Sequence, residues 1–99
     1  MSVIQSKIDT RSEEFAANNK AMRALIDDLH TNMQKVTEGG GERTSQRHHQ
    51  RGKLLARERI ERLVDPGSPF LEIGQFAAWE MYSGDVMSAG VVVGIGRIN

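Results

Sequence analysis

A chain of 99 residues is long enough for one small domain, and at that size a fold buries only about 60–70% of the surface its unfolded chain exposes. Apolar residues are 38% and aromatics 5%, a thin supply for a core, while 13 basic and 13 acidic residues cancel, so net charge does not force disorder. Cysteine is absent, which removes disulfides and thiolate metal sites as substitutes for a core, and no run approaches the roughly 18 apolar residues of a membrane span. The balance points to a segment that completes its core against something else, the rest of a longer chain or a partner. Met1-Ser2-Val3-Ile4-Gln5-Ser6-Lys7 lacks the basic flank and apolar run of a secretory signal, and the Arg-rich profile of a transit peptide. A soluble cytoplasmic protein is the expectation.

The first predicted element is a helix from about Ser12 to Thr37. Met22, Leu25, Ile26, Leu29, Met33 and Val36 recur at the three- and four-residue steps that gather apolar groups on one helix face. Thr10 and Glu13 have capping-box spacing, each able to satisfy an orphan backbone N–H, and Gly39-Gly40-Gly41 supplies a helix stop. The stripe spans too few heptads to require a coiled coil and reads as a core-packing face. Glu42 to about Gln50 forms a second, almost wholly polar helix. On it Arg43, Arg47 and Arg51 stand four apart and so share one ridge. Gly52 interrupts. A third helix follows over roughly Leu54 to Val64, with Ala56, Ile60, Leu63 and Val64 inward and Arg57–Glu61 and Glu58–Arg62 as exposed pairs. Asp65-Pro66-Gly67 ends it, because proline neither continues a helix nor permits helical geometry easily before it.

The pattern then changes period. Phe70 to Phe76 alternates in part and reads as a strand, and Val91 to Ile98 is β-branched and apolar, a second strand. Ala77 to Ala89 is a loop holding Trp79, Met81 and Tyr82, with Ser83-Gly84-Asp85 as its turn. Two strands alone make a marginal sheet in water, so the sequence reads as stopping where a larger sheet begins. The fold class is α+β, helices followed by the first strands of a larger domain.

The chief chemical signal is basic. Seven of the 13 basic residues lie between Arg43 and Arg62, against two acids, Glu58 and Glu61, and such an excess attracts anions even at zero net charge. Arginine outnumbers lysine there, and its planar fork suits phosphate and carboxylate. A solvated helix face with ordinary surface pairs is the plain alternative. Nucleic acid is disfavoured, since no aromatic is interleaved with the arginines and the pI is near neutral. His48 and His49, with His30 upstream, do not make a metal site: neighbours on a helix diverge, and no further ligand stands at the right spacing. Gly94-Ile95-Gly96 lacks the third glycine and the helix of a dinucleotide fingerprint, and reads as a close-packed or kinked strand. No catalytic residue is found, neither a Gly-x-Ser-x-Gly elbow nor a cysteine nucleophile nor an assignable carboxylate pair.

Gly39-Gly40-Gly41, Arg47-His48, Arg51-Gly52-Lys53-Leu54-Leu55, Arg57-Glu58-Arg59-Ile60 and Asp65-Pro66-Gly67-Ser68-Pro69-Phe70-Leu71-Glu72 together resemble the amino-terminal region of the carboxyltransferase (β) subunits of biotin-dependent acyl-CoA carboxylases. The Leu-Leu after the lysine, the Pro-Gly-Ser-Pro-Phe-Leu-Glu run and Ala89 to Ile98 look most like the methylcrotonoyl-CoA and geranyl-CoA branch. Propionyl- and acetyl-CoA carboxylase β subunits share the Arg-Gly-Lys-Leu and Ala-Arg-Glu-Arg-Ile elements and match less well downstream. The resemblance implies a crotonase-like fold of β-β-α superhelical turns, preceded by a helical segment. Residues 1–11 would then be an arm, 12–66 that helical segment, and 67–99 the start of the carboxyltransferase N domain.

It also implies carboxyl transfer from carboxybiotin to the γ-carbon of 3-methylcrotonoyl-CoA, as in leucine breakdown. Geranyl-CoA, from acyclic terpenes, is the alternative substrate, and a propionyl- or acetyl-CoA carboxylase β subunit is the further alternative. The biotin is carried by a partner α subunit, other β subunits complete the oligomer, and this chain holds no cofactor itself. The glycine-rich loops that hold enolate and ureido oxygens in such enzymes lie beyond Asn99, so the chain alone is expected to be an inactive part of an enzyme. Arg47, Arg51, Lys53 and Arg57 are the candidates for attracting the CoA phosphates. The competing expectation is an oligomer-interaction segment, in which the same arginines pair with acidic groups elsewhere in the assembly.

Overall fold

The computed structural model describes residues 2–84 and 86–99. The chain divides into two compact units, Met1–Asn32 and Met33–Asn99. In the first unit an arm without regular secondary structure leads into α1 (Glu13–Glu38), whose last turns belong to the second unit. The cap is Ser12 rather than the expected Thr10: Ser12 Oγ accepts the Phe15 N–H at 3.1 Å and donates to the Asp9 carbonyl at 2.8 Å. Asp9 also takes the Arg11 N–H at 2.9 Å, so an Asp-initiated turn sets the chain before the helix and leaves Ser12 at the capping position. Within this unit Met22 and Leu25 are exposed. The stripe has the pattern of a packing face, but an arm and one helix supply nothing to cover it.

The second unit begins with the end of α1, where Val36 is 2% exposed, the one buried hydrophobic residue among those described. Gly39 follows in left-handed conformation, and its N–H returns to the Val36 carbonyl at 3.1 Å, which is how a helix end satisfies its last carbonyls. Helices α2 (Glu42–Gln50) and α3 (Ala56–Leu63) are joined by a tight turn. Strands β1 (Phe70–Ile73) and β2 (Val93–Gly96) pair antiparallel, with Phe70 opposite Gly96 and Glu72 opposite Gly94. Both strands are shorter than the sequence suggests. Gly74, at φ +71, turns the chain out of β1, and a ladder can be no longer than its shorter partner.

Alternation divides this ribbon into two faces. Phe70, Glu72, Gly94 and Gly96 share one. Here the close approach expected at the glycines is present: a methyl on Gly96 would sit 2.7 Å from Val64 Cγ1, and one on Gly94 would sit 2.6 Å from the Leu71 carbonyl oxygen and run into the Phe70 ring. Leu71, Ile73, Val93 and Ile95 share the other face and are all exposed. Asp65 ties the strands to the end of α3. Its N–H donates to the Arg97 carbonyl at 2.8 Å, while its carboxylate accepts Arg97 Nε at 3.0 Å and the Asn99 N–H at 2.8 Å.

Two expectations for α3 change. Ile60 and Val64 are half-buried, but Ala56 and Leu63 are exposed, and Val64 has already left the helix at φ −77, ψ 158. The pairs Arg57–Glu61 and Glu58–Arg62 give way to partners on other elements, described below. Between the strands, Tyr82–Gly84 and Met87–Gly90 form short turns with positive φ at Tyr82, Ser83, Ser88 and Ala89, and the Phe76 and Trp79 rings meet edge to face at 5.2 Å. The expected turn at Ser83-Gly84-Asp85 is described only as far as Gly84. No helix among the described residues is long and apolar enough to cross a membrane.

Candidate anion-binding site

Helix α2 carries the basic ridge. It has no buried residue, and Arg43 and Arg47 are exposed along it. Arg51 is its C-cap, at φ −86, ψ 8. Near-helical geometry at that position continues the four-residue step one place past the helix. Cations in the last turn and at the cap also suit the negative end of the helix dipole. The chain then reverses. The N–H groups of Arg51 and Lys53 donate to the His48 carbonyl at 3.2 and 3.3 Å, and that of Gly52 donates to the His49 carbonyl at 2.8 Å. Gly52 adopts φ +71, a value open to glycine at little cost.

Two side chains close the far side of this turn. His48 Nε2 lies 3.2 Å from the Leu54 carbonyl, and His49 Nε2 lies 2.9 Å from both Glu58 oxygens. A carbonyl and a carboxylate can only accept, so in both contacts the ring Nε2 is the donor. Glu58 also accepts the Leu55 N–H at 2.7 Å, which caps α3 from its third residue. The hydrogen bond from His49, then that from Leu55, hold the Glu58 carboxyl below its ordinary range. Beside the turn lies an open depression of about 540 Å³, lined by His48, Gly52, Lys53, Leu54 and Arg59.

The sequence candidates therefore divide. The ion pairs among the described residues are His49–Glu58, Arg57–Glu72 and Arg97–Asp65. Arg47, Arg51 and Lys53 have no carboxylate partner among those residues and are exposed. Arg57 is different: its guanidinium forms a two-pronged pair with Glu72, Nη2 to Oε1 at 2.7 Å, and the two side chains are 27% and 8% exposed. Gln75 Nε2 adds a third hydrogen bond to that carboxylate at 3.1 Å. These bonds, Arg57 foremost, hold the Glu72 carboxyl below its ordinary range against the partial burial that pushes it up. Arg57 thus ties α3 to β1, and its charge is already paired with the Glu72 carboxylate. Arg59, which spacing did not single out, lines the depression with Lys53. The depression thus has Lys53 and Arg59 in its lining, with the exposed Arg51 one residue from Gly52.

The carboxyl transferase domain model matches residues 47–99, more than half of the chain and the whole stretch from the basic turn onward. The chain belongs to the carboxyl transferase family. Over 97 residues it is 43% identical to the mitochondrial methylcrotonoyl-CoA carboxylase beta chain of Arabidopsis thaliana, covering 98% of this chain and 16% of that one. Against the probable mitochondrial methylcrotonoyl-CoA carboxylase beta chain of Drosophila melanogaster it is 45% identical over 97 residues, covering 97% and 17%. Among solved structures it superposes on the beta subunit of Pseudomonas aeruginosa geranyl-CoA carboxylase with a TM-score of 0.84 and 36% identity, covering 98% of this chain and 18% of that one. The helices and two strands are thus the family's carboxyltransferase architecture, seen over about a sixth of the length of the relatives.

Proposed function

We propose that this chain is the N-terminal part of the carboxyltransferase subunit of a biotin-dependent acyl-CoA carboxylase, acting on 3-methylcrotonoyl-CoA in leucine breakdown. The observation that carries this reading is identity of 43% and 45%, over nearly the whole chain, to two methylcrotonoyl-CoA carboxylase beta chains. In this reading the biotin arrives on a partner α subunit, further β subunits complete the assembly, and residues 67–99 open the N domain behind a helical segment at 12–66. Arg47, Arg51 and Lys53, joined by Arg59, draw in the CoA phosphates. Arg57 braces α3 against β1 instead. A cytoplasmic location belongs to the same reading, and since both relatives are named mitochondrial, cell fractionation decides it.

Geranyl-CoA is the second substrate to weigh, favoured by the structural likeness to the geranyl-CoA carboxylase beta subunit. The deciding experiment supplies the full-length subunit with its biotin-carrying partner, ATP and labelled bicarbonate, and compares the two thioesters. We expect label in the 3-methylcrotonoyl product at the higher kcat/KM. A preference for geranyl-CoA would reassign the substrate, and fixation into neither would remove the enzyme reading. The non-enzymatic alternative, an oligomer-interaction segment, predicts that Arg51→Ala disrupts assembly while the acyl-CoA KM of surviving oligomers stays unchanged.

A further inference from the structure

We infer that the His49–Glu58 bridge is a positioning device, which holds the Arg51-Gly52-Lys53 turn and Arg59 around one anion without touching that anion. This rests on the anion-site reading above. The backbone bonds of the turn all run back to α2, from Arg51, Gly52 and Lys53 to the carbonyls of His48 and His49. Onward from Lys53 to α3, the links among the described residues are made by side chains: His48 to the Leu54 carbonyl, and Glu58 to the Leu55 N–H and to His49. Gly52 does not stiffen the turn by packing, since nothing lies within 4 Å of where its Cβ would be.

The cations lie on both sides of this joint. Lys53 is on the turn and Arg59 is on α3, next to Glu58, yet both line one depression. Their separation therefore depends on the angle between α2 and α3. Glu58 sits in the first turn of a helix and bonds the end of the preceding helix through both oxygens, so it sets that angle. The bridge is exposed, at 45% and 37% for the two side chains, and exposed pairs add little to global stability. Its loss should therefore register in ligand placement rather than in melting.

The test uses the full-length subunit with its biotin-carrying partner and reads acyl-CoA KM, kcat and melting temperature for Arg51→Ala, Glu58→Ala, Glu58→Gln and the Arg51→Ala/Glu58→Ala double variant. We expect Glu58→Ala to raise KM by about three- to tenfold at constant kcat, the signature of lost ligand binding, with the melting temperature lowered only by the lost α3 cap, and His49→Ala to raise KM with the melting temperature held. Glu58→Gln keeps an acceptor for Leu55 and His49 and should recover most of that loss. The double variant should bind no worse than the weaker single one, since the two residues serve one site. His49→Ala leaves the α3 cap intact and replaces Glu58→Ala if the latter fails to assemble. If Arg51→Ala raises KM while Glu58→Ala and His49→Ala do not, or if the effects multiply in the double variant, the positioning role is overturned and the anion site stands. If no variant moves KM, the anion site itself is overturned.

Discussion

Replacing Arg57 by alanine should loosen the second unit far more than removing any other cation of the basic segment. Glu72 is 8% exposed and takes two hydrogen bonds from Arg57 and one from Gln75. Removing one partner of a buried pair costs about 3–5 kcal/mol, because the other charge stays buried and uncompensated. Arg57 is 27% exposed, so solvent screens part of that loss, and about 2–3 kcal/mol is the expected cost. A change of that size is about 30- to 150-fold in an opening equilibrium. Hydrogen exchange by mass spectrometry on the assembled subunit reads it locally, and peptides containing Ala56–Leu63 and Phe70–Ile73 should exchange faster by about that factor. The Arg57→Met/Glu72→Leu double variant should recover most of the protection, since an apolar pair of similar size avoids both desolvation penalties. Unchanged exchange in Arg57→Ala, or a double variant as open as the single, would refute the reasoning.

The same carboxylate sets a pH dependence. Arg57 holds Glu72 below its ordinary value of 4.5, so the unfolded state binds more protons than the folded state in that range. The stabilisation is then present above pH 4.5 and is lost as pH falls through the lower folded value, and Glu72→Gln should flatten that acid loss in the exchange profile. Gly94→Ala should destabilise the ribbon by about 1–3 kcal/mol through overpacking, and more than Gly96→Ala, because the Leu71 carbonyl at 2.6 Å cannot rotate away as Val64 can. Thermal shift of the two variants, with Gly94→Ala no worse than Gly96→Ala as the contrary result, decides this. Ser12→Ala should lower the helicity of the isolated chain, as loss of an N-cap worth about 1 kcal/mol does; Thr10→Ala should leave circular dichroism unchanged. The isolated chain itself should melt without a sharp transition, since Val36 is its one buried hydrophobic residue among those described; a cooperative melt would show that it folds unaided.

Much of this was legible where the governing interaction is local. The polar helix from Glu42 to Gln50 follows from residue type and flanking glycines, and the structure keeps both boundaries. Gly94 and Gly96 read as places of close approach, and the Phe70 ring and Val64 are what approaches. Where a tertiary partner outbids a local one, spacing misleads. Glu61 stands one turn from Arg57, yet Glu72, fifteen residues on, wins because it is partly buried and can accept both guanidinium prongs. Glu58 could have met Arg62, but its helix position lets it cap Leu55 and meet His49 at once. Arg59 escaped notice because Leu55 interrupts the four-residue series after Arg51, and only the fold puts Arg59 in the same depression as Lys53. Between Ala78 and Ala89 six of the described non-glycine residues have positive φ, among them Glu80 and Tyr82. No residue pattern announces that geometry, and such backbone persists only where its surroundings impose it.

The most direct measurement of the proposed role of the basic turn compares two thioesters of the same acid on the Arg51→Ala/Lys53→Ala variant of the full-length subunit. One is the CoA thioester, and the other is the pantetheine thioester, which lacks the phosphates. We expect KM for the CoA thioester to rise several-fold, more at low salt than at high, as screening predicts, while KM for the pantetheine thioester stays at the wild-type value. An equal rise for both thioesters, or no rise for either, would contradict phosphate attraction by Arg51 and Lys53.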